Sequence, residues 1–227
     1  MTRFPGRMET RRYHMRNIPA FTCEYGVATL ILQEIPTRGE AYCVVQWANP
    51  GQTGPLLQAC SQFCRMAGAQ RVLSSQAPGP ADTPPQIQLL RMTRSRAGLP
   101  ETDAALRPLL PELAEDFLRI YRKGMSRVPA VLTLRDTDIP QILARGGAYF
   151  VHRDETLLGI GQVEKDTLLS VVSCRPGAGW DVTAALLSVT QGDTVRLQVA
   201  RDNHRAIALY QKLGFAVVGT GACWWEI

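Results

Sequence analysis

The run Asn203-His204-Arg205-Ala206-Ile207-Ala208-Leu209-Tyr210-Gln211-Lys212-Leu213-Gly214-Phe215 sets an amide side chain and a phenol seven residues apart. In a helix that spacing puts both on one face. A phenol so placed can donate a proton to a leaving group, and an asparagine at the open end can cap the helix or bind a ligand. Ala206, Leu209, Tyr210 and Leu213 recur at the period of a helix that buries one side. Asp202 or Asn203 can cap its start. Gly214 stands where a left-handed residue closes a helix, with Phe215 beyond it to pack back on the last turn.

A second stretch, Arg175-Pro176-Gly177-Ala178-Gly179, joins a β-like run to a helical one. Glycines there let backbone N–H groups approach an anion, the helix start adds favourable partial charge, and Arg175 offers a charged donor. The same glycines would serve an ordinary strand-to-helix turn. A dinucleotide fingerprint would need a third glycine at Val182, and no Gly-Lys-Ser/Thr phosphate loop occurs. For a proton acceptor the sequence offers Glu164 and Glu155 in turns and His152 at a strand end. The six cysteines form no Cys-x-x-Cys pair. Cys60 and Cys64 are spaced i, i+4 without a histidine nearby, so they read as small core residues and no metal is expected.

The charge balance is 25 basic against 20 acidic residues, a net of +5. Arg3, Arg7, Arg11, Arg12 and Arg16 against Glu9 give the first 16 residues +4, which leaves +1 for the rest. The basic character belongs to one arm, read as a solvated end. A nucleic-acid contact through it is the less favoured alternative, since no aromatic platform accompanies it. No apolar run reaches membrane-spanning length and the N-terminus lacks a signal-peptide core, so a cytoplasmic protein without membrane contact is expected.

Positioning these residues requires a sheet. Residues 26–35 and 40–48 read as strands around Pro36–Gly39. A helix spans about Pro55–Ala67, with strands at Arg71–Ser74 and Gln86–Met92 on either side of the proline-rich connection 77–85. Residues 96–100 mark a boundary. Helices are expected over about 101–109, 111–124 and 136–145. Strands follow at Ala148–His152, Leu157–Val163 and Thr167–Ser173, then a helix near Asp181–Val189 and a strand at Thr194–Val199. The Tyr210 helix comes next, then two closing strands, Ala216–Gly219 and Ala222–Glu226. Val44-Val45, Pro50-Gly51, helix, Arg71–Leu73 lies parallel in pattern to Val171-Val172, Pro176-Gly177, helix, Val195–Leu197, which reads as an internal duplication.

The order β-β-β, glycine turn, helix, strand, then Asn-x-x-Ala-x-x-Leu-Tyr-x-Lys-x-Gly-Phe and closing strands, resembles the GCN5-related N-acetyltransferases (GNATs) over residues 101–227. The match is complete at residues 203–215. The resemblance implies an α/β (α+β) fold with a mixed, mostly antiparallel sheet flanked by helices and splayed between its fourth and fifth strands. It implies acetyl-CoA as co-substrate and direct acetyl transfer to a primary amine of a small molecule or peptide. Carried over, Val171, Val172 and Ser173 would meet the pantetheine arm and acetyl carbonyl. Arg175, Gly177, Ala178, Gly179 and Trp180 would hold the pyrophosphate, with Asn203 and Ala206 beside the splay. Tyr210 would be the acid at sulfur. The resemblance points to no base, and Glu164, as a carboxylate in a turn near the sheet, is the catalytic candidate for that role. One departure stands out: where the family's turn opens on Arg or Gln this chain has Cys174, with Arg175 one residue late. That departure motivates the alternative of an acyl-CoA-binding or regulatory module with little turnover. Residues 1–95 read as a truncated half without a cofactor helix and 96–227 as the acetyltransferase domain; a homodimer is left open.

Overall fold

The computed structural model describes residues 19–79 and 83–227. The arginine-rich stretch 1–16 and part of the proline-rich connection lie outside the described residues. The elements are β1 (Ala20–Cys23), β2 (Gly26–Ile31), α1 (Ile35–Arg38), β3 (Glu40–Ala48), α2 (Thr53–Met66), β4 (Arg71–Ser74), β5 (Ile87–Ser95), β6 (Ala105–Pro108), α3 (Ala114–Met125), α4 (Ile139–Arg145), β7 (Ala148–Arg153), β8 (Thr156–Glu164), β9 (Thr167–Ser173), α5 (Gly179–Ser188), β10 (Thr194–Ala200), α6 (His204–Lys212) and β11 (Ala216–Glu226). Short 3₁₀ turns precede α3 and α4.

Three expectations need correction. The strand read over 26–35 stops at Ile31, and Ile35–Arg38 form the short helix α1, opened by Pro36 in its first turn. Residues 101–109 form no helix. Pro100 precedes them and Pro108 lies within them, and Ala105–Pro108 pairs with Tyr149–His152 as an edge strand, so tertiary pairing overrides the helix-like composition. The two closing strands are one, β11, with register shifts at Val217/Gly219 and Thr220/Cys223 where its glycines lie.

All strands join one sheet in the order β1-β2-β3-β4-β11-β5-β10-β9-β8-β7-β6. Two units of strand, helix and parallel strand stand out: β3–α2–β4 and β9–α5–β10. Each unit's second strand is followed by a strand that pairs across the middle of the sheet. β5 lies against β10 from Leu89 to Ser95, and β11 lies against β4 and β5. The last strand of each unit therefore sits next to the other unit, so the halves share one continuous sheet.

Helices cover both faces. α5 and α6 bury Val182, Leu186, Leu187, Val195, Leu197 and Leu213 on one side; α3 and α4 bury Phe117, Tyr121, Phe150 and Ile160 on the other. α2 covers the β2–β4 region through Leu56, Leu57, Cys60 and Cys64. A fourth cluster, Tyr42, Leu73, Ile87 and Trp224, lies where β3, β4, β5 and β11 meet. Close approach fixes α5 on β8: a side chain at Gly159 would lie 2.3 Å from the Val172 carbonyl oxygen and 2.8 Å from Val182.

Candidate functional site

β9 and β10 are parallel and pair only at Arg196↔Thr167 and Leu197↔Leu168. Beyond these rungs each strand keeps its outer partner: β9 pairs with β8 as far as Ser173, and β10 pairs with β5 as far as Ala200. The two strands therefore part into a wedge walled by residues 169–173 and 198–200. The Cys174 N–H donates to the Leu158 carbonyl on β8 at 2.8 Å. By the alternation of an antiparallel ladder, the backbone groups of Val171 and Ser173 face the wedge, where no strand meets them. Val171 packs on the α5/α6 side of the sheet, and Val172 on the α3 side.

At the wide end of the wedge the chain turns through Cys174–Ala178 into α5. Gly177 has φ +83°, and nothing lies within 4 Å of where its side chain would be. The first backbone bond into the helix is Val182 N–H to the Ala178 carbonyl, 3.0 Å. The N–H groups of Gly177, Gly179, Trp180 and Asp181 have no backbone acceptor among the described residues, and no side chain caps the helix. Such an end attracts anions. The Asp181 carboxylate is engaged elsewhere, accepting from Thr102 Oγ1 at 3.1 Å and pairing with Arg153 at 2.9 Å. Trp180, on the first turn, is partly exposed.

Arg175 is exposed and its Nε donates to the Leu157 carbonyl at 3.4 Å. It is joined by positive charge from another element. Burial pushes the Cys174 thiol pKa up, while Arg119, Arg175 and Lys123 pull it down. The two α3 cations, four residues apart, therefore act on the turn at the position where the family pattern has its basic residue. Sequence reading missed them because they lie 51–55 residues upstream; their i, i+4 spacing on one helix face was the available signal.

α6 comes to this turn. A side chain at Gly179 would stand 3.1 Å from Leu209 Cδ2 and 3.5 Å from Ser173 Oγ, so the turn, the end of β9 and the middle of α6 converge. Asn203 is the helix cap: its Oδ1 accepts from the Ala206 N–H at 3.1 Å. Gly214 has φ +85°, the Phe215 N–H closes on the Tyr210 carbonyl at 2.9 Å, and Arg94 of β5 donates to the Leu213 carbonyl at the helix end. Tyr210 packs into the α5/α6 core and edge-on to Phe215, ring centroids 5.9 Å apart. Its hydroxyl has no hydrogen-bond partner among the described residues. Burial pushes its pKa up to about 12, so at neutral pH it is a proton donor.

The proton-acceptor candidates do not join this group. Glu164 ends β8 opposite Thr167, at the laddered end of the wedge, ~20 Å along the strand from Ser173. At that distance its carboxylate does not reach the open end of the wedge, contrary to the catalytic role expected of it. His152 and Glu155 lie at the open end but on β7 and its turn, two strands or ~10 Å from β9. Burial, with Arg107 nearby, lowers the His152 pKa against the opposing pull of Glu155, and His152 Nδ1 is buried without a hydrogen-bond partner among the described residues. A wide cleft along α2, lined by Leu57, Gln58, Ser61, Arg65 and Met66, lies apart from the wedge. No group of His, Cys, Asp and Glu suited to a metal occurs among the described residues, and none of their helices is long and apolar enough to cross a membrane.

No protein-family model and no curated protein sequence matches the chain. Solved structures do. A GCN5-related N-acetyltransferase from Kribbella flavida is 15% identical, with a TM-score of 0.58 over 92% of this chain and 89% of that one. One from Sphaerobacter thermophilus is 15% identical, TM-score 0.56, covering 87% and 75%. A tandem GNAT protein from the clavulanic acid biosynthesis pathway is 18% identical, TM-score 0.55, covering 89% and 78%. With its parted parallel strands, open glycine turn and two-faced helical cover, the chain has the GNAT fold.

Proposed function

We propose that the protein is an acetyl-CoA-dependent N-acetyltransferase that passes the acetyl group directly to a primary amine. The observation that carries this reading is the combination of three features on β9–β10, the turn after β9 and α6. These are a β9–β10 wedge with unmet backbone groups, an uncapped helix start with four open N–H groups, and an unpartnered phenol held protonated on α6.

A CoA diphosphate suits the turn on this chain's own features. The space at Gly177 is open, the N–H groups of Gly177, Gly179, Trp180 and Asp181 have no backbone acceptor among the described residues, Asp181 is paired with Arg153, and Arg119, Lys123 and Arg175 supply positive charge. Acetyl-CoA would supply the activated carbonyl and the thiolate leaving group. The wedge-facing N–H groups of Val171 and Ser173 are fixed donors for the pantetheine amides and for charge developing on the acyl oxygen. Asn203 sets the start of α6 and so the position of Tyr210, and Tyr210 protonates the departing sulfur. The segments 169–173 and 198–200 contain no carboxylate or histidine. We infer that the amine loses its proton to water in the wedge rather than to a side chain there. Residues 1–95 serve as a cofactor-free half that braces the catalytic half through β5 and Arg94.

A second reading, an acyl-CoA-binding module with little turnover, is favoured by Cys174 at the first place of the turn and by the carboxylate-free wedge. One experiment separates the two readings. Acetyl-CoA is titrated in a thermal-shift assay, and thiol release is then followed with a polyamine, an aminoglycoside, a free amino acid and a peptide N-terminus. Ligand at 100 times Kd stabilises by about 2.7 kcal/mol, a rise of about 5–10 °C for a chain of this size. Binding with amine-dependent thiol release supports the enzyme, binding alone supports the module, and no shift at millimolar acetyl-CoA refutes both.

A further inference from the structure

The segment from 126 to 134, between α3 and the turn before α4, has few backbone hydrogen bonds of its own; the Val128 N–H to the Met125 carbonyl, 3.0 Å, is one. Side chains hold it instead, and four of the bonds come from the N-terminal half. Arg38 donates from Nη2 to the Val128 carbonyl at 2.9 Å and from Nη1 to the Val131 carbonyl at 3.2 Å. Glu34 accepts from the Thr133 N–H at 2.9 Å and from Thr133 Oγ1 at 2.6 Å. From α3, the Tyr121 hydroxyl donates to the Leu132 carbonyl at 3.3 Å and Arg122 Nε to the Leu134 carbonyl at 2.9 Å. Glu34 is 0% exposed. A carboxylate so placed is tolerated only when hydrogen-bonded, and removing its partners is costly. Arg38 is itself oriented by Glu40 at 3.3 Å, and Glu40 by Arg71 at 3.0 Å. Between the clamps Ala130 takes φ +54°, a left-handed conformation disfavoured for alanine, which persists where the surroundings impose it.

The path of this segment gives the clamps a consequence. It leaves α3 beside Gly124, where a side chain would lie 2.3 Å from Val172 Cγ1, so α3 ends pressed on the part of β9 that has left β10. Ala130 then packs against the cluster of Tyr42, Leu73, Ile87 and Trp224, against which Leu89 of β5 also packs. Leu89 pairs with Ala200, the last residue of β10. The segment therefore starts on one lip of the wedge and lands beyond the other, as a strap on the face opposite α5 and α6. Those two helices and the phosphate turn fill the first face, so a second substrate reaches the wedge beneath the strap.

We propose that Glu34 and Arg38 are positioning residues for the amine acceptor: the N-terminal half fixes the strap that forms the acceptor side of the wedge. This rests on the acetyltransferase reading above. The clamps touch neither the turn nor α6, so their loss acts on the amine and spares acetyl-CoA.

The test uses Glu34→Gln and Arg38→Ala in the full chain. Thr133→Val, which removes a strap end of the same clamp, serves where either of these fails to fold. Hydrogen exchange of amides 127–134, acetyl-CoA Kd, and kcat and KM for the amine with the highest wild-type rate in the panel above are measured. Exchange in the strap rises at least tenfold, KM for the amine rises at least fivefold, and acetyl-CoA Kd and kcat stay within twofold. Unchanged strap exchange, an unchanged amine KM, or equal weakening of both substrates overturns the proposal. A wild-type protein that binds no acetyl-CoA or acetylates no amine overturns the acetyltransferase reading and the acceptor role with it. The exchange result then still decides whether Glu34 and Arg38 hold the strap.

Discussion

Tyr210→Phe removes a single hydroxyl, and its consequences for stability and for chemistry separate cleanly. The hydroxyl makes no hydrogen bond to a described residue, so at neutral pH the variant should unfold within about 0.5 kcal/mol of wild type. At high pH the two diverge. Burial raises the phenol from its ordinary 10.0 to about 12. A raised native-state pKa means stability is fully present below pH 10 and is lost as pH climbs through the native value. The full effect of the shift is on the order of 3 kcal/mol, about half of it gone at pH 11. Urea unfolding at pH 8 and pH 11 should show wild type losing on the order of 1 kcal/mol more than the phenylalanine variant, since other ionisations are shared. If the phenol is the acid at sulfur, kcat falls about 10²–10⁴-fold at pH 7.5, with acetyl-CoA Kd within twofold. Equal alkaline losses would refute the buried phenol, and full turnover by the variant would refute the proton transfer.

Three further outcomes follow from the same geometry. Asn203→Ala deletes the cap on Ala206 and costs about 1 kcal/mol, read as a melting temperature lower by about 2–4 °C, with a weaker acetyl-CoA affinity as α6 frays. Gly177→Ala meets open space but must hold φ +83°, which costs about 1–2 kcal/mol; calorimetry should show acetyl-CoA Kd raised while circular dichroism shows the fold intact. Gly159→Ala drives a methyl to 2.3 Å from the Val172 carbonyl, where no flexible side chain can yield, and should cost more than 2 kcal/mol by urea unfolding.

Much of the C-terminal half is legible because its signals are local. β9 was read at its observed bounds, and β7, β8 and β10 to within a residue at their ends, since alternation and turn residues coincide there. The cap at Asn203 and the left-handed Gly214 follow from side-chain and backbone chemistry within one helix. What sequence could not supply is non-local. The exchange of β5 and β11 across the sheet is set by pairing between residues more than 100 positions apart, as in Leu90↔Thr220. The edge strand at Ala105–Pro108 reads as helix because Ala104, Ala105 and Leu106 favour one until β7 offers a partner. Glu164 looked eligible as a carboxylate near the sheet, but only the register shows it at the closed end. Glu34 and Arg38 passed as a strand end and a turn; the strand stops at Ile31, and their role depends on a segment about 90–99 residues away.

The central claim, that the parted strands β9 and β10 receive acetyl-CoA, is tested most directly by hydrogen exchange with and without acetyl-CoA. Protection should appear at 171–181 and 203–210, with the N-terminal turn at 49–53 unchanged. Unchanged exchange at 171–181 under saturating ligand, or protection confined to the N-terminal half, would contradict it.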